Sequence, residues 1–586
     1  MYQIKRRNIR SLLAGSAAVI AISSSAALAQ EAATENSETV VVSSTRITTA
    51  GFNAPTPTTV VGSDFIENQS KDNVFYAITQ LPSMMGSTGQ ETVVNGTSGG
   101  TNGLASFNMF GLGTIRTLTL LDSQRFIAAN VTGVTDISEF PQLLIQRVDV
   151  VTGGASASWG SDAIGGVVNF VTDKKFEGFK ANFSGGVSTY GDNATATGQA
   201  AFGTSFAGGR GHFEIAGEFS HQDGVGAGIP QLGCCSTALP NGRTWFIEPT
   251  ILQYSSPTTT PAGQPQYFVS RLGQQNQLGR YGLINSGPLQ GTAFGPNGQP
   301  YQFNYGSGPN GVQGTPTKNG SAGSAGGVTN CIQAFCIGGE TDAMEGSGVT
   351  LATPLTRGDV YTRLSYDLNS DTNVWATINW SQVGTSNIPN PDAWLSSLPG
   401  IAANSVGQQV QLAGVQCGNG PSAASLPAGD LPGPNAYLPA SINAACVANG
   451  ITNFSFGSNY IGLGPQIVYT NRDNRRLAVG GDGAFNIFDT DWTWDTYYTH
   501  GENDTNIHVR QITLKPYLYA AIDSVVAQPG DGSGAVPGTI VCRSAAARAE
   551  GCVPFDPFGS ITPSQAQTNW LYGGSKWGPG PLQISH

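Results

Sequence analysis

Charge is what this sequence has least of. Of its 586 residues only 11% are Asp, Glu, Lys or Arg, and 39% are hydrophobic. So little charge argues against the charge-rich kind of disordered chain, and so modest a hydrophobicity excludes a bundle of membrane-spanning helices. Positive charge is the scarcer sign: 27 Lys and Arg stand against 38 Asp and Glu, for a net charge of −11. Nucleic acid, which wants basic patches, is therefore not an expected partner. Histidine is rare too. The five residues are scattered, there is no His-Glu-x-x-His, and the eight cysteines include no Cys-x-x-Cys. No metal or cofactor is expected from such a pattern. Asp/Glu pairs occur, but none sits in a nucleophile or metal arrangement, so the chain does not read as an enzyme.

Glycine is abundant, with 79 residues. The length exceeds a usual single domain. What remains is an all-β chain with many turns: a soluble repeat, a secreted sandwich, or a barrel in lipid.

The amino end is a secretory signal peptide. Lys5, Arg6, Arg7 and Arg10 form a positive region, Leu12 to Ala27 is apolar and small, and Ala27-Leu28-Ala29 is a cleavage site. The mature chain is expected to start at Gln30, in surroundings that permit disulfides. A polar stretch follows, then Glu38-Thr39-Val40-Val41-Val42-Ser43-Ser44-Thr45-Arg46. Three valines in polar surroundings make a free strand that can lend its backbone to another protein's sheet edge. An ordinary first strand is the plainer alternative.

The most informative stretch is Arg147–Lys174, RVDVVTGGASASWGSDAIGGVVNFVTDK. Two apolar β-runs, Val148–Val151 and Val167–Val171, flank a small-residue turn region carrying one large side chain, Trp159. Gly153-Gly154 and Gly165-Gly166 free the backbone for tight turns. The stretch fits neither GxGxxG nor GxxxxGK[ST], so it is no phosphate cradle. Upstream, Asp72 is expected to cap a helix over Asn73–Leu81 that Pro82 stops. Gly86–Ser106 reads as a mobile loop, Ile115–Asp122 as a strand ending in a turn, Val131–Glu139 as a loop, and Leu143–Val151 as a strand.

The Arg147–Lys174 pattern resembles the end of the plug domain of TonB-dependent outer-membrane receptors, where it precedes the first barrel strand. The positions that carry the likeness are Arg116, Asp122, Arg125, Gly153, Gly154, Gly160, Asp162, Gly165, Gly166 and Asn169. The Glu38–Thr45 run resembles that family's TonB box, which implies pairing with the periplasmic domain of TonB. Two departures are local. Phe110 stands where the family usually has an Arg before the glycine, and Ser123 where a Gly usually follows the Asp. Arg116 and Arg125 match family arginines, and structural hydrogen bonding inside the plug is favoured for them over ligand contact.

Beyond Lys175 the residues speak without the family. Phe179, Ala181 and Phe183 alternate with polar residues; so do Ile215 and Phe219, Val360 and Leu364, Val374, Ile378 and Trp380, Leu477 and Val479, and Trp492, Trp494 and Tyr498. With a weaker run at Ala196–Phe206 there are about seven period-two strands of roughly ten residues, the length of a tilted bilayer crossing. Connections alternate between very short and very long, as in outer-membrane barrels. All eight cysteines lie in the long segments. Proximity pairs Cys331 with Cys336, Cys417 with Cys446 and Cys542 with Cys552, with a zinc site as the alternative. Loop aromatics such as Trp245, Tyr254, Phe303 and Trp394 either stack on a ligand or pack the loops and mark the headgroup belt, and packing is favoured.

The expected fold is mainly β: an N-terminal α+β plug domain followed by an incomplete antiparallel transmembrane β-barrel. The expected domains are a signal peptide (1–29), a periplasmic extension (30–58) with the TonB box at 38–46, a plug (59–175) and a partial barrel (176–586). The family barrel has 22 strands, so the chain is expected to be an incomplete receptor. The resemblance implies energy-coupled uptake of a scarce ligand such as a siderophore or oligosaccharide, in the outer membrane of a Gram-negative cell. The implied partners are TonB, membrane lipid and lipopolysaccharide, and the small ligand, with the receptor a monomer. A surface binding protein or adhesin without transport, or a non-functional fragment, is the alternative.

Overall fold

The computed structural model describes residues 57–585 apart from 69–72, 91–98, 154, 226–250, 254–259, 261–262, 270–272, 319–327, 333–334, 341–349, 390–392, 396–413, 460–465, 489, 560–561 and 573–581. The signal peptide and the Glu38–Arg46 run lie outside the described residues. The protein is mainly β, and among the described residues no helix is long and apolar enough to cross a membrane.

The N-terminal part is built on a five-stranded sheet. Its strands are β1 (Thr58–Gly62), β2 (Thr117–Leu121), β3 (Gln124–Arg125), β4 (Ile145–Thr152) and β5 (Gly166–Thr172), in the order β1-β4-β5-β2-β3. β4 and β5 are the two apolar runs of the Arg147–Lys174 stretch, paired antiparallel. β5 also runs parallel to β2, so it is enclosed on both sides. Fully enclosed strands need apolar residues on both faces. Every residue of β2 is buried, and so is most of β5.

Helix α1 (Val74–Ile78) closes one face of this sheet. Asn73, not Asp72, caps it: its side chain accepts from the Phe75 N–H at 2.8 Å. The helix ends before Leu81, at Thr79. Phe75, Phe107 and Phe170 stack in series at 5.4 and 6.1 Å between centroids, and Phe140 meets Phe170 edge-on at 5.0 Å. Trp159 fills a second core with Leu118, Leu120, Val151 and Val167.

In two stretches expected to be loops the described residues are more ordered than that, with 91–98 lying outside them. Ser106 pairs through its backbone with Thr88, and Asn102, Leu104 and Ala105 are buried. Val131–Glu139 ends in a buried 3₁₀ turn, Ile137–Glu139, capped by Asp136. Glycine and polar residues mark both stretches as loops, and only packing against the rest of the protein orders them.

The second part is an eight-stranded antiparallel meander in which every strand neighbours the next in sequence. Its strands are β6 (Gly178–Gly186), β7 (Thr195–Phe206), β8 (Gly211–Gln222), β9 (Leu355–Asn369), β10 (Thr372–Asn387), β11 (Ile467–Ile487), β12 (Thr490–Arg510) and β13 (Leu582–Ser585). The sheet is open among the described residues, with β6 at one edge and β13 on β12 at the other. The turns joining β7 to β8, β9 to β10 and β11 to β12 are all tight and all at one end. The long connections at 223–354, 388–466 and 511–581 are all at the other.

Side chains alternate across this sheet as the sequence implies, with the sides assigned by the structure. Phe179, Phe183, Phe219, Leu364, Ile378, Trp380, Leu477 and Trp492 are exposed on one face. Gln199, Glu214, Glu218, Arg357, Arg363, Asn379, Arg472 and Arg476 are buried on the other. A water-soluble sheet would do the reverse; this is the pattern of lipid outside and polar filling inside.

Several strands outrun the ten residues expected, with β11 and β12 each reaching 21. The outward apolar belt explains the excess. On β11 it covers Leu477–Ile487, and above it the outward residues are Asn471, Asp473 and Arg475. On β10, Gln382, Gly384 and Ser386 follow Trp380 in the same way. The belt is about one bilayer crossing tall, and ladder pairing continues beyond it toward the long loops.

Those loops fold on one another. Ile284 and Phe294 from the first, Phe454 and Phe456 from the second, and Leu518 and Trp570 from the third share one core. Helices α2 (Ala440–Asn449), α3 (Lys515–Ile522) and α4 (Gln565–Leu571) pack into it. Disulfides Cys331–Cys336, Cys417–Cys446 and Cys542–Cys552 each staple one loop internally. Cys234 and Cys235 lie outside the described residues. Arg543 ties the third loop to the second: it donates to Asp523 at 2.9 Å and to the Leu431 carbonyl at 2.7 Å.

Gly166 is the tightest backbone contact in the N-terminal sheet. Its φ is +143°, and a Cβ there would lie 2.2 Å from the Val151 carbonyl oxygen. Gly166→Ala is expected to destabilise this domain by about 2–4 kcal/mol. Gly133→Ala, where φ is also positive but space is open, should cost only about 1 kcal/mol. Limited proteolysis of the two variants separates the effects.

Candidate functional site: the polar face between the two parts

The buried face of the meander lies against the N-terminal domain, and the contact is polar. Arg472 on β11 is the centre of its loop-side end. Its guanidinium donates to the Asn102 carbonyl at 2.9 and 2.5 Å and to the Gly100 carbonyl at 3.4 Å. Asn102 in turn donates its side-chain amide to Asn387 of β10 at 2.6 Å. Gly103 sits so close that a Cβ would be 2.4 Å from the Thr385 methyl. The apex at 99–104 is thus held by backbone acceptors, one buried cation and lack of space.

Deeper in, Arg476 on the same face donates to Gln124 at 2.8 Å and lies 5.2 Å over the Phe126 ring. Asn474 donates to the Glu139 carboxylate. Arg357 of β9 pairs with Glu218 of β8, faces Asp359 at 3.3 Å, and donates to Gln90 at 3.3 Å. Gln90 passes the contact on to Ser138 at 2.9 Å, and Ser138 to Asp136 at 2.5 Å. Burial first, then the neighbouring Asp136 carboxylate, pushes the Glu139 carboxyl up to about 8, against the pull of Asn474 and Arg472. The arrangement performs no bond chemistry. It joins two bodies by contacts that are directional, numerous and individually reversible. Among the described residues no group of three His, Cys, Asp or Glu could hold a metal ion.

The residues singled out from the sequence lie elsewhere. Those of the Glu38–Thr45 run, and Gly154, are outside the described residues. Asp122 and Asn169 clamp the β2–β3 turn. Asp122 accepts from Thr172 at 2.9 and 2.8 Å, and Asn169 accepts from the Ser123 N–H at 2.8 Å. Asp122 and Ser123 both have positive φ, so the turn works although Ser stands where glycine was expected. Arg125 meets Asp162 at 2.5 Å and donates to the Trp159 carbonyl at 2.7 Å. That hydrogen bond holds Asp162 below the usual carboxylate range. Both partners are about half exposed, so the pair contributes little. Arg116 donates to the Leu112 carbonyl at 2.8 Å. Gly153 and Gly160 take positive φ, and Gly165 packs a would-be Cβ 3.0 Å from the Arg116 carbonyl. Phe303 is buried against Tyr305 within its loop.

Sequence reasoning missed Arg357, Arg472, Arg476, Asp136 and Glu139. A signal was available for the arginines. In a chain with so few charges, Arg472 and Arg476 share one face of a strand whose other face turns apolar from Leu477 on.

A domain packed on the polar face of a sheet whose other face is apolar is the arrangement of a plugged barrel. Residues 51–167 match the TonB-dependent Receptor Plug Domain family, and the chain has the build of a TonB-dependent receptor: that plug, joined to part of a barrel sheet. Among solved structures it is similar to a mutant ferric enterobactin receptor (PfeA) from Pseudomonas aeruginosa, at 12% identity over 78% of this chain and 50% of that one, TM-score 0.33. It is also similar to the siderophore receptor PirA from Acinetobacter baumannii (11%, 77% and 48%, 0.31) and to BauA, the ferric preacinetobactin receptor of the same species (11%, 83% and 50%, 0.32). The chain spans about half the length of these receptors.

Arg472→Leu keeps bulk but strips the apex carbonyls of their donors, at an expected cost of about 3 kcal/mol. Hydrogen exchange should show loss of protection at 99–106. Arg475→Leu, on the outward face of the same strand, should leave those amides unchanged.

Proposed function

We propose that this chain acts in TonB-dependent uptake across the outer membrane. The signal peptide at 1–29 exports it. The extension at 30–58 presents Glu38–Thr45 to TonB in the periplasm. The plug, about 59–175, closes the path, and the strands after it cross the lipid with their Phe, Leu and Trp belt outward. The ligand is a scarce small molecule of the siderophore or oligosaccharide type, captured on the side of the long loops. TonB pairs with the valine strand by edge addition and pulls. The work comes from that partner, so the chain itself needs no cofactor.

One observation carries this reading: the charged face of the sheet is filled by the plug through many polar contacts, with only Ala201, Ala216 and Tyr361 of the sheet joining the plug's apolar core among the described residues. Such a contact can be broken and remade without unfolding the sheet, which lies on the far side of its own backbone ladder. The disulfide-stapled loop core favours a second reading, a surface binding protein that does not transport.

Deleting Thr39–Ser43 distinguishes the two. In the receptor expressed in its own outer membrane, uptake is expected to vanish while insertion and ligand binding stay intact. Undiminished uptake would sink the proposal, and binding without any uptake in the unaltered protein would favour the second reading.

A further inference from the structure

We propose that Glu139 is a neutral carboxylic acid while the plug is seated and gives its proton to water when the plug leaves the sheet, so that plug displacement is linked to pH. The device rests on the receptor reading above.

Counting charge at the interface points to it. Around Glu139, apart from Glu214, Arg363 and Arg476 elsewhere on the same buried face, four carboxyl groups gather: Asp136 and Glu139 from the plug, Glu218 and Asp359 from β8 and β9. All four are buried. Two guanidiniums face them, Arg357 and Arg472. Arg357 is engaged with Glu218 and Asp359. Arg472 spends its hydrogen bonds on backbone carbonyls rather than on a carboxylate, and acts on Asp136 and Glu139 only at a distance. Four anions against two cations would leave buried charge uncompensated, and such sites bind a proton instead.

Hydrogen bonding selects which acid takes it. Asp136 accepts through Oδ1 from the Ala105 N–H at 3.2 Å, the Ser138 N–H at 3.1 Å and the Ser138 hydroxyl at 2.5 Å, while its Oδ2 is buried without a hydrogen-bond partner. Glu218 has Arg357 and the Gln199 amide, and Asp359 has Arg357. Glu139 is met by Asn474 of β11, with Arg472 of the same strand and Ser381 of β10 also facing it. Like Asp136 it has no cation in contact, but it takes fewer donors than Asp136 does, with that like charge one 3₁₀ turn away. The upward shift of its carboxyl agrees.

The sign follows. An acid whose seated value lies above its free value of 4.5 favours the seated plug fully below about pH 4.5, and that contribution is lost as the pH rises through about 8. Mildly acidic surroundings tighten the plug and alkaline ones loosen it.

The test is an infrared titration of carboxyl groups in the purified full chain in detergent, wild type against Glu139→Gln. Wild type is expected to show a protonated-carboxyl band at pH 7 that the variant lacks and that fades as the pH passes 8. Protection factors at 99–106 should fall about a hundredfold between pH 6 and 9 in wild type and stay level in Glu139→Gln. Identical bands, or the same pH dependence in both proteins, would overturn the latch. If Glu139→Gln does not fold, Asp136→Asn keeps the cap and removes the like charge. The band should then fade at lower pH, and an unmoved titration overturns the proposal. Neither readout needs TonB or ligand, so this idea and the uptake reading fail separately.

Discussion

Everything in this structure follows from a sheet whose charged side chains have nowhere to go but inward. Lipid on the outer face takes Phe, Leu and Trp and refuses Arg and Glu. Alternation then places Arg357, Arg363, Arg472 and Arg476 on the opposite face. Such a face is costly to bury dry and must be met by hydrogen-bonding partners. The plug supplies them, and it does so mostly with backbone carbonyls and amide side chains, from Asn102, Gln90 and Gln124. A neutral partner binds a cation firmly while leaving less of a penalty when the two separate than an ion pair would.

The plug itself is made rigid by different means. Its cores are aromatic and dry, stacked around Phe107 and Phe170, and its central strand β5 is enclosed by β4 and β2. The family-like residues at Asp122, Arg125, Asp162 and Asn169 fix turns within it, and Asp122 also acts at a distance on Arg476 of the sheet. This division separates two demands. Aromatic packing and turn clamps keep the plug one body, while polar contacts decide whether that body stays in place.

The loops add a third layer. A long connection between strands normally has few contacts of its own. Here three of them share one core, and disulfides close each internally. Arg543 couples two of them through Asp523 and the Leu431 carbonyl.

What the sequence determined by itself was periodicity and punctuation. Alternation of Phe, Leu and Trp with polar residues located the strands, glycine and short polar stretches located the tight turns, and the Arg147–Lys174 pattern located β4 and β5. These signals are local, because a strand's two faces and a turn's dihedral needs are written within a few residues. The stretches 86–106 and 131–139 looked like loops because glycine and polar residues dominate them. Only tertiary contact turned Asn102 and Glu139 into buried partners of strands more than 300 residues away. The same contact chose which of the scarce arginines meet a carbonyl and which a carboxylate. Register between distant segments sets that choice, and no window of sequence contains both halves of such a pair.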